Sequence, residues 1–385
     1  MNFLQTLKKP MVSVAVVCVL LACIVTLQNM LLPPKTYVDG GMEYTHYNNY
    51  LIFKQSFFHL IENKDLYQQY PQEYWDLYKY SPTFSLFMGL LAWMPDFLGL
   101  LIWNLLNVLV LFFAFWKLPF ENNRKTLFAL LFLVLELLTS IQNSQSNGLI
   151  AGLILFAYLQ LERGKVELAV LCVVLTMFIK LFGVCAFVLF LCYPGKIRAF
   201  LYALGWTVLL AALPLLVISY EQMQRVYKSW ILLLQNDPPN ADGWVGTWFG
   251  MEAQTTMLLG GSILFCLPLI RYKHFREKKF KLLLLASTLI WIVIFNHKAE
   301  SPTYIIAVCG VAIWYFTQNF KLENTILLLL VFMFTVVAST DLFPGKWQEN
   351  VIIPFALKPL SCVLVWLKIT WDLLSYPNFP ACEKT

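Results

Sequence analysis

An all-α polytopic membrane protein is the fold class this sequence predicts: a single bundle of about twelve transmembrane helices, with a large first outer loop carrying short interfacial helices. Three observations predict it. The 385 residues are 59% hydrophobic and only 13% charged, with a mean hydropathy of +0.66. Apolar runs recur along nearly the whole length. Soluble domains carry about 25% charged residues, so too little charge is present to cover a water-facing surface. Disorder is excluded by the 16% aromatic content.

The runs follow in order. Residues 11–32 come after Lys8 and Lys9, and the run is too long for a secretory signal and lacks a small-x-small cleavage site. It reads as an uncleaved first helix. Further runs fall near 98–116, 126–140, 148–161, 166–179, 181–193, 199–219, 255–270, 282–295, 303–317, 325–340 and 351–372. The 14-residue stretch Pro82–Pro95 decides the topology. Runs of 10–14 residues are more often interfacial or re-entrant than spanning. Treating it as non-spanning places 17 of the 28 Lys and Arg on one side, including all six in Arg271–Lys281. The positive-inside rule favours that arrangement, with both termini cytoplasmic and two large outer segments, 33–97 and 220–254. No linker, low-complexity tract or clear repeat divides residues 1–385 into domains.

The net charge of +6 therefore reports orientation rather than nucleic-acid binding. Eight of nine cysteines (Cys18, Cys23, Cys172, Cys185, Cys192, Cys266, Cys309 and Cys362) lie in or beside apolar runs and read as buried, inert thiols. The four histidines show no H-x-x-x-H spacing, so no protein-built metal site is expected.

Polar chemistry concentrates on the outer side, where 14 of 22 Asp and Glu fall. Residues 32–80 hold 13 aromatics, nine of them tyrosines, among Asp39, Glu43, His46, Glu62, Asp65, Glu73 and Asp76. Such rings either form an interfacial belt or stack on sugars. The stretch Asn143-Ser144-Gln145-Ser146-Asn147 is either a polar turn or the wall of a hydrogen-bonding site, since amides at membrane depth need partners. Gly148 and Gly152 read as a close helix contact. Lys180, between two apolar runs, either snorkels to the surface or holds a lipid phosphate as a point charge. Glu136 is a paired or functional acid. Residues Asn296–Glu300 place a base (His297), a cation (Lys298) and an acid (Glu300) in one loop. No phosphate-binding glycine loop, G-x-S-x-G or metal-ligand run occurs.

Taken together, Asp65-Leu66-Tyr67, Tyr80-Ser81-Pro82, Leu101-Ile102-Trp103-Asn104, the 143–147 turn and Lys180 resemble glycosyltransferase family 87 of the GT-C superfamily, over about residues 35–200. The resemblance implies a GT-C-like bundle in a cell-envelope membrane, that of the bacterial inner (plasma) membrane, acting on its periplasmic face. It implies inverting transfer of a hexose, typically mannose, from a polyprenyl-phosphate carrier to a lipid or glycan acceptor, with no cofactor and no nucleic-acid partner. An outer-loop base would deprotonate the acceptor hydroxyl while a cation meets the departing phosphate. The family's D-F-x-x-Y-like stretch corresponds here to His46-Tyr47-Asn48-Asn49-Tyr50, so His46 takes the aspartate position. Glu43 is the nearest carboxylate and Asp39 the next. Lys180 is the expected phosphate ligand, with Arg225 and Lys228 as other cations. Tyr50, Tyr80, Asn143, Gln145, Asn147, His297 and Glu300 are the expected substrate contacts. A secondary transporter and a non-catalytic envelope-assembly protein are the competing readings; the first would show paired inverted halves with broken helices.

Overall fold

In a computed structural model, residues 3–37, 41–237, 243–338, 340 and 343–376 are described. Helices follow one another as α1 (Phe3–Leu31), α2 (Asn48–Ile61), α3 (Pro82–Ala92), α4 (Asp96–Trp116), α5 (Asn123–Gln142), α6 (Asn147–Glu162), α7 (Val166–Ile179) and α8 (Lys196–Ala212). They continue as α9 (Tyr220–Asn236), α10 (Trp244–Phe249), α11 (Gln254–Cys266), α12 (Lys278–Ile294), α13 (Tyr304–Thr317), α14 (Leu322–Val331), α15 (Gly345–Trp347) and α16 (Leu357–Leu374). A two-residue ladder pairs β1 (Lys35–Thr36) antiparallel with β2 (Glu43–Tyr44).

Each of the twelve apolar runs carries helix, but length and hydropathy alone support fewer than twelve spans. Among the described residues, five segments are long and apolar enough to cross a membrane: Met11–Leu31, Asp96–Trp116, Asn123–Gln142, Lys196–Leu216 and Met251–His274. Gly345–Ile352 and Leu357–Leu374, bent by 60°, make a sixth if counted as one. The remaining apolar helices have 10–17 residues, short of the roughly 20 that span hydrocarbon. Burial explains why short helices suffice. In α12 and α13 nearly every side chain is buried, whereas α8 buries only Ala199 and Leu210. A helix surrounded by protein has no lipid-exposed backbone to satisfy, so its length is not set by bilayer thickness. Leu181–Cys192 is wound as a 3-10 helix, whose rise of about 2.0 Å per residue stretches a short segment.

The Pro82–Pro95 stretch yields only the 11 residues of α3, about 16 Å at 1.5 Å per residue and half the bilayer core. Ser81 caps it, accepting from Phe84 N and donating to the Phe178 carbonyl at 2.5 Å. Thr83 and Ser85 donate to the carbonyls of Leu210 and Ser56, each at 2.7 Å. The short helix is thereby stitched into the bundle.

Several loops expected on one side lie together at one end of the bundle. Glu162 receives Lys281 at 2.7 Å and Tyr193 at 2.6 Å, and Lys125 reaches the Gln318 carbonyl. At the other end the first loop, the 143–147 turn, α9 and the 296–301 loop converge. The glycine pair behaves as expected: a Cβ on Gly152 would sit 2.8 Å from the Leu111 nitrogen on α4.

One open alternative is narrowed and one expectation corrected. Seven of the nine first-loop tyrosines (Tyr44, Tyr47, Tyr50, Tyr67, Tyr74, Tyr78 and Tyr80) are buried in the protein rather than arrayed as an interfacial belt. Several hydroxyls satisfy loop carbonyls, as when Tyr67 donates to Tyr80 O and Tyr78 to Ser81 O. The eight thiols are free, but Cys266 is exposed and Cys23, Cys172 and Cys185 only partly covered.

Candidate active site

The amide turn is held chiefly through its backbone. Ser144 adopts a left-handed conformation (φ 51°), and its carbonyl accepts from the Trp103 indole at 2.9 Å. Asn107 accepts from Leu149 N at 2.9 Å, and Asn29 donates to the Gln142 carbonyl. With Asn147 opening α6, the Gln145 and Asn147 amides face Lys180.

Lys180 itself interrupts the chain in an extended conformation (φ −139°, ψ 124°) between α7 and the 3-10 segment. Its Nζ donates to Asn147 Oδ1 at 3.1 Å and Gln145 Oε1 at 3.3 Å, above the Tyr80 ring at 5.7 Å. Tyr80 Oη also donates to Gln145 Oε1, while Gln145 Nε2 donates to Glu300 Oε2, both at 3.2 Å. Asn147 Nδ2 is buried without a partner among the described residues. Burial pulls the Lys180 ammonium down to about 8, against the opposing field of Glu300.

Two cavities meet this cluster at Glu300; Lys180, Gln145, Asn147 and Tyr80 stand behind it and line neither. One, about 620 Å³, is walled largely by apolar side chains such as Trp244, Leu258, Phe295 and Ile352, with Asn296, His297, Glu300, Ser301 and Lys358 at a polar end. The other, about 460 Å³, is polar and bordered by Lys35, His46, Asn48, Asn49, Asp76 and Asn143. Its aromatic wall is Tyr37 stacked on Trp75, with centroids 5.7 Å apart and planes within 1°. Asn48 fixes Trp75 by bonding both its N–H (2.8 Å) and its carbonyl (2.9 Å). Glu300 belongs to both linings.

Of the expected residues, Tyr80, Gln145, Asn147, Lys180 and Glu300 form one connected network. His46 and Asn143 border the polar cavity, and His297 the apolar one. Burial and the neighbouring Lys298 lower the His297 imidazole, with Asp237 opposing. Glu43 lies exposed on β2 opposite Thr36 and borders neither cavity, and because its stretch is not helical it shares no helical face with His46. Tyr50 is fully buried, its hydroxyl packed on Gly99. Arg225 is exposed and donates to Asn63 Oδ1 at 2.8 Å, and Lys228 is also exposed. Asp39 lies outside the described residues.

Sequence reasoning passed over Lys358. Its Nζ donates to Glu136 Oε1 at 3.0 Å, and to Ser301 Oγ at 2.8 Å and the Ser301 carbonyl at 3.2 Å. The signal was Glu136, a lone acid in an apolar helix that requires a cation.

The sequence pattern of glycosyltransferase family 87 matches residues 78–340; it leaves out Asp65-Leu66-Tyr67 and the rest of 35–77 and runs on past residue 200, where the motifs ended. That match contains Tyr80, Trp103, the amide turn, Lys180 and Glu300, and begins after Glu43 and His46. No individual curated protein matches the chain. With more than half of its length matched, the chain belongs to glycosyltransferase family 87.

Proposed function

We propose that this membrane glycosyltransferase moves a hexose, mannose in the first instance, from a polyprenyl-phosphate carrier to a lipid or glycan acceptor on the outer face. The carrying observation is the pair of cavities of opposite character that share one carboxylate. A polyprenyl chain needs an apolar enclosure with a polar end for its phosphate sugar. An acceptor rich in hydroxyls needs amides and stacked rings. Placing both substrates at one junction converts a bimolecular reaction into a positioned one.

Lys180 is the proposed phosphate ligand. Among the described residues it forms no ion pair, and the unpartnered Asn147 Nδ2 stands beside it as a second donor. Such a cradle stabilises charge that develops as the carrier leaves. His46 and Asn143 would contact the acceptor, and His297 the sugar end of the donor. Inversion follows from direct attack of the acceptor oxygen on the anomeric carbon.

Purified protein in lipid nanodiscs, given polyprenyl-phosphate mannose and an alkyl mannoside, should transfer mannose in a carrier-dependent way. Transfer from a nucleotide sugar in the absence of any lipid carrier would overturn the donor assignment.

A further inference from the structure

From this arrangement we infer that Glu300, rather than Glu43 or His46, is the general base of the transfer; the inference rests on the lipid-linked reading above. A base for direct displacement must touch the acceptor hydroxyl in one cavity while the anomeric carbon waits in the other. Glu300 stands where that is possible, on the wall common to both. His46 borders only the polar cavity, and Glu43 borders neither.

Glu300 is exposed, with one carboxylate oxygen fixed and the other open. Gln145 Nε2 donates to Oε2 at 3.2 Å, and no described group hydrogen-bonds the other oxygen. Behind it the backbone is pinned: the Glu300 carbonyl accepts from Thr303 N at 2.9 Å. Next door, both oxygens of Ser301 accept from Lys358. Gln145 also accepts from Lys180, so a single amide joins the proposed base to the proposed phosphate ligand. Glu300 lies within the family-matched residues, and Glu43 and His46 lie before them.

In the step itself, Glu300 Oε1 takes the acceptor hydroxyl proton as that oxygen bonds to the anomeric carbon. The bond from that carbon to the phosphate oxygen breaks, and its electron pair leaves with polyprenyl phosphate. Glu300 then returns the proton to water, and no further reactant is needed.

The test uses the full-length protein in nanodiscs with undecaprenyl-phosphate mannose and octyl mannoside. Glu300→Gln keeps an oxygen for Gln145 to donate to and removes the basicity. It should bind donor within about twofold of wild type while kcat falls by about 10²- to 10⁴-fold, the usual contribution of a general base. Glu300→Ala should regain transfer with added formate, which a variant damaged only in folding would not do. His46→Asn and Glu43→Gln should lose far less. A Glu300→Gln enzyme with wild-type kcat, or one whose whole loss is in donor affinity, overturns the assignment and leaves the lipid-linked reading standing. Absence of transfer by the wild type overturns that reading, and the base assignment with it.

Discussion

Lys180 and Lys358 stand in similar places and are handled in opposite ways. Each is partly buried where a helix is interrupted: Lys180 between α7 and a 3-10 segment, Lys358 just after the left-handed Ala356 (φ 46°) that opens α16. Lys358 meets a fully buried carboxylate, Glu136, at 3.0 Å and two oxygens of Ser301. Among the described residues Lys180 hydrogen-bonds amide oxygens alone, those of Gln145 and Asn147. An ion pair cancels formal charge, whereas amide dipoles merely solvate it. Lys358 is therefore a brace tying α5 and α16 to the loop behind Glu300. Lys180 keeps a charge that a phosphate can use. A buried cation becomes a ligand candidate by the charge of its partners, not by burial alone.

The largest effect is expected on the brace. Lys358→Met leaves Glu136 buried without its counter-charge, and breaking such a pair costs about 3–5 kcal/mol. Thermal unfolding in detergent should show that loss. Lys358→Met combined with Glu136→Leu should recover most of it, because two apolar groups replace two charges. Unchanged stability in the single variant would erase the distinction between the two lysines.

A smaller effect should fall on binding at Lys180. Charge-assisted hydrogen bonds are worth about 1.5–3 kcal/mol, so Lys180→Met should weaken binding of polyprenyl phosphate by about 10- to 100-fold. Its thermal stability should not drop, because an uncompensated charge has been removed. Loss of stability with intact binding would make Lys180 a second brace and move the phosphate to another cation, such as Lys298.

How much of this was legible depends on where the physics is local. Helices were legible because hydropathy is read residue by residue, and the amide turn and Lys180 because polar groups in apolar surroundings are conspicuous. The number of spans was not, since α12 and α13 are sheltered by other helices and escape the length rule of lipid-facing ones. The Glu136–Lys358 pair joins residues 222 apart in sequence, and no periodicity links them. The first-loop tyrosines were ambiguous because a ring with a polar edge suits both an interface and a core with carbonyls to satisfy. Only the fold shows that Tyr67 and Tyr78 donate to Tyr80 O and Ser81 O. Glu43 stood out as a carboxylate near the expected motif, but a two-residue strand leaves no pattern by which sequence could show that it borders neither cavity. Glu300 was visible as an acid in a mixed-charge loop, and its position between two cavities was not.

The finest distinction between the lysines is in pH. Burial lowers Lys180 in the folded protein to about 8, against roughly 10.4 for an unfolded lysine. The sign follows from that depression. Below about pH 8 the folded ammonium is charged and its burial opposes folding; between about 8 and 10.4 the penalty is progressively relieved as the folded group loses its proton. Carrier binding runs the other way, because the phosphate needs the ammonium. Affinity for polyprenyl-phosphate mannose, a diester whose single charge does not titrate here, should therefore be flat below about pH 8 and fall up to about tenfold per unit above it. Bound phosphate favours the charged form, so the limb should move to higher pH as carrier concentration rises. Lys180→Arg, whose guanidinium keeps its proton, should bind with little pH dependence across the same range, whatever its absolute affinity. An alkaline limb that persists in the arginine variant would show that the titrating group lies elsewhere, and with it the unpaired charge that separates Lys180 from Lys358.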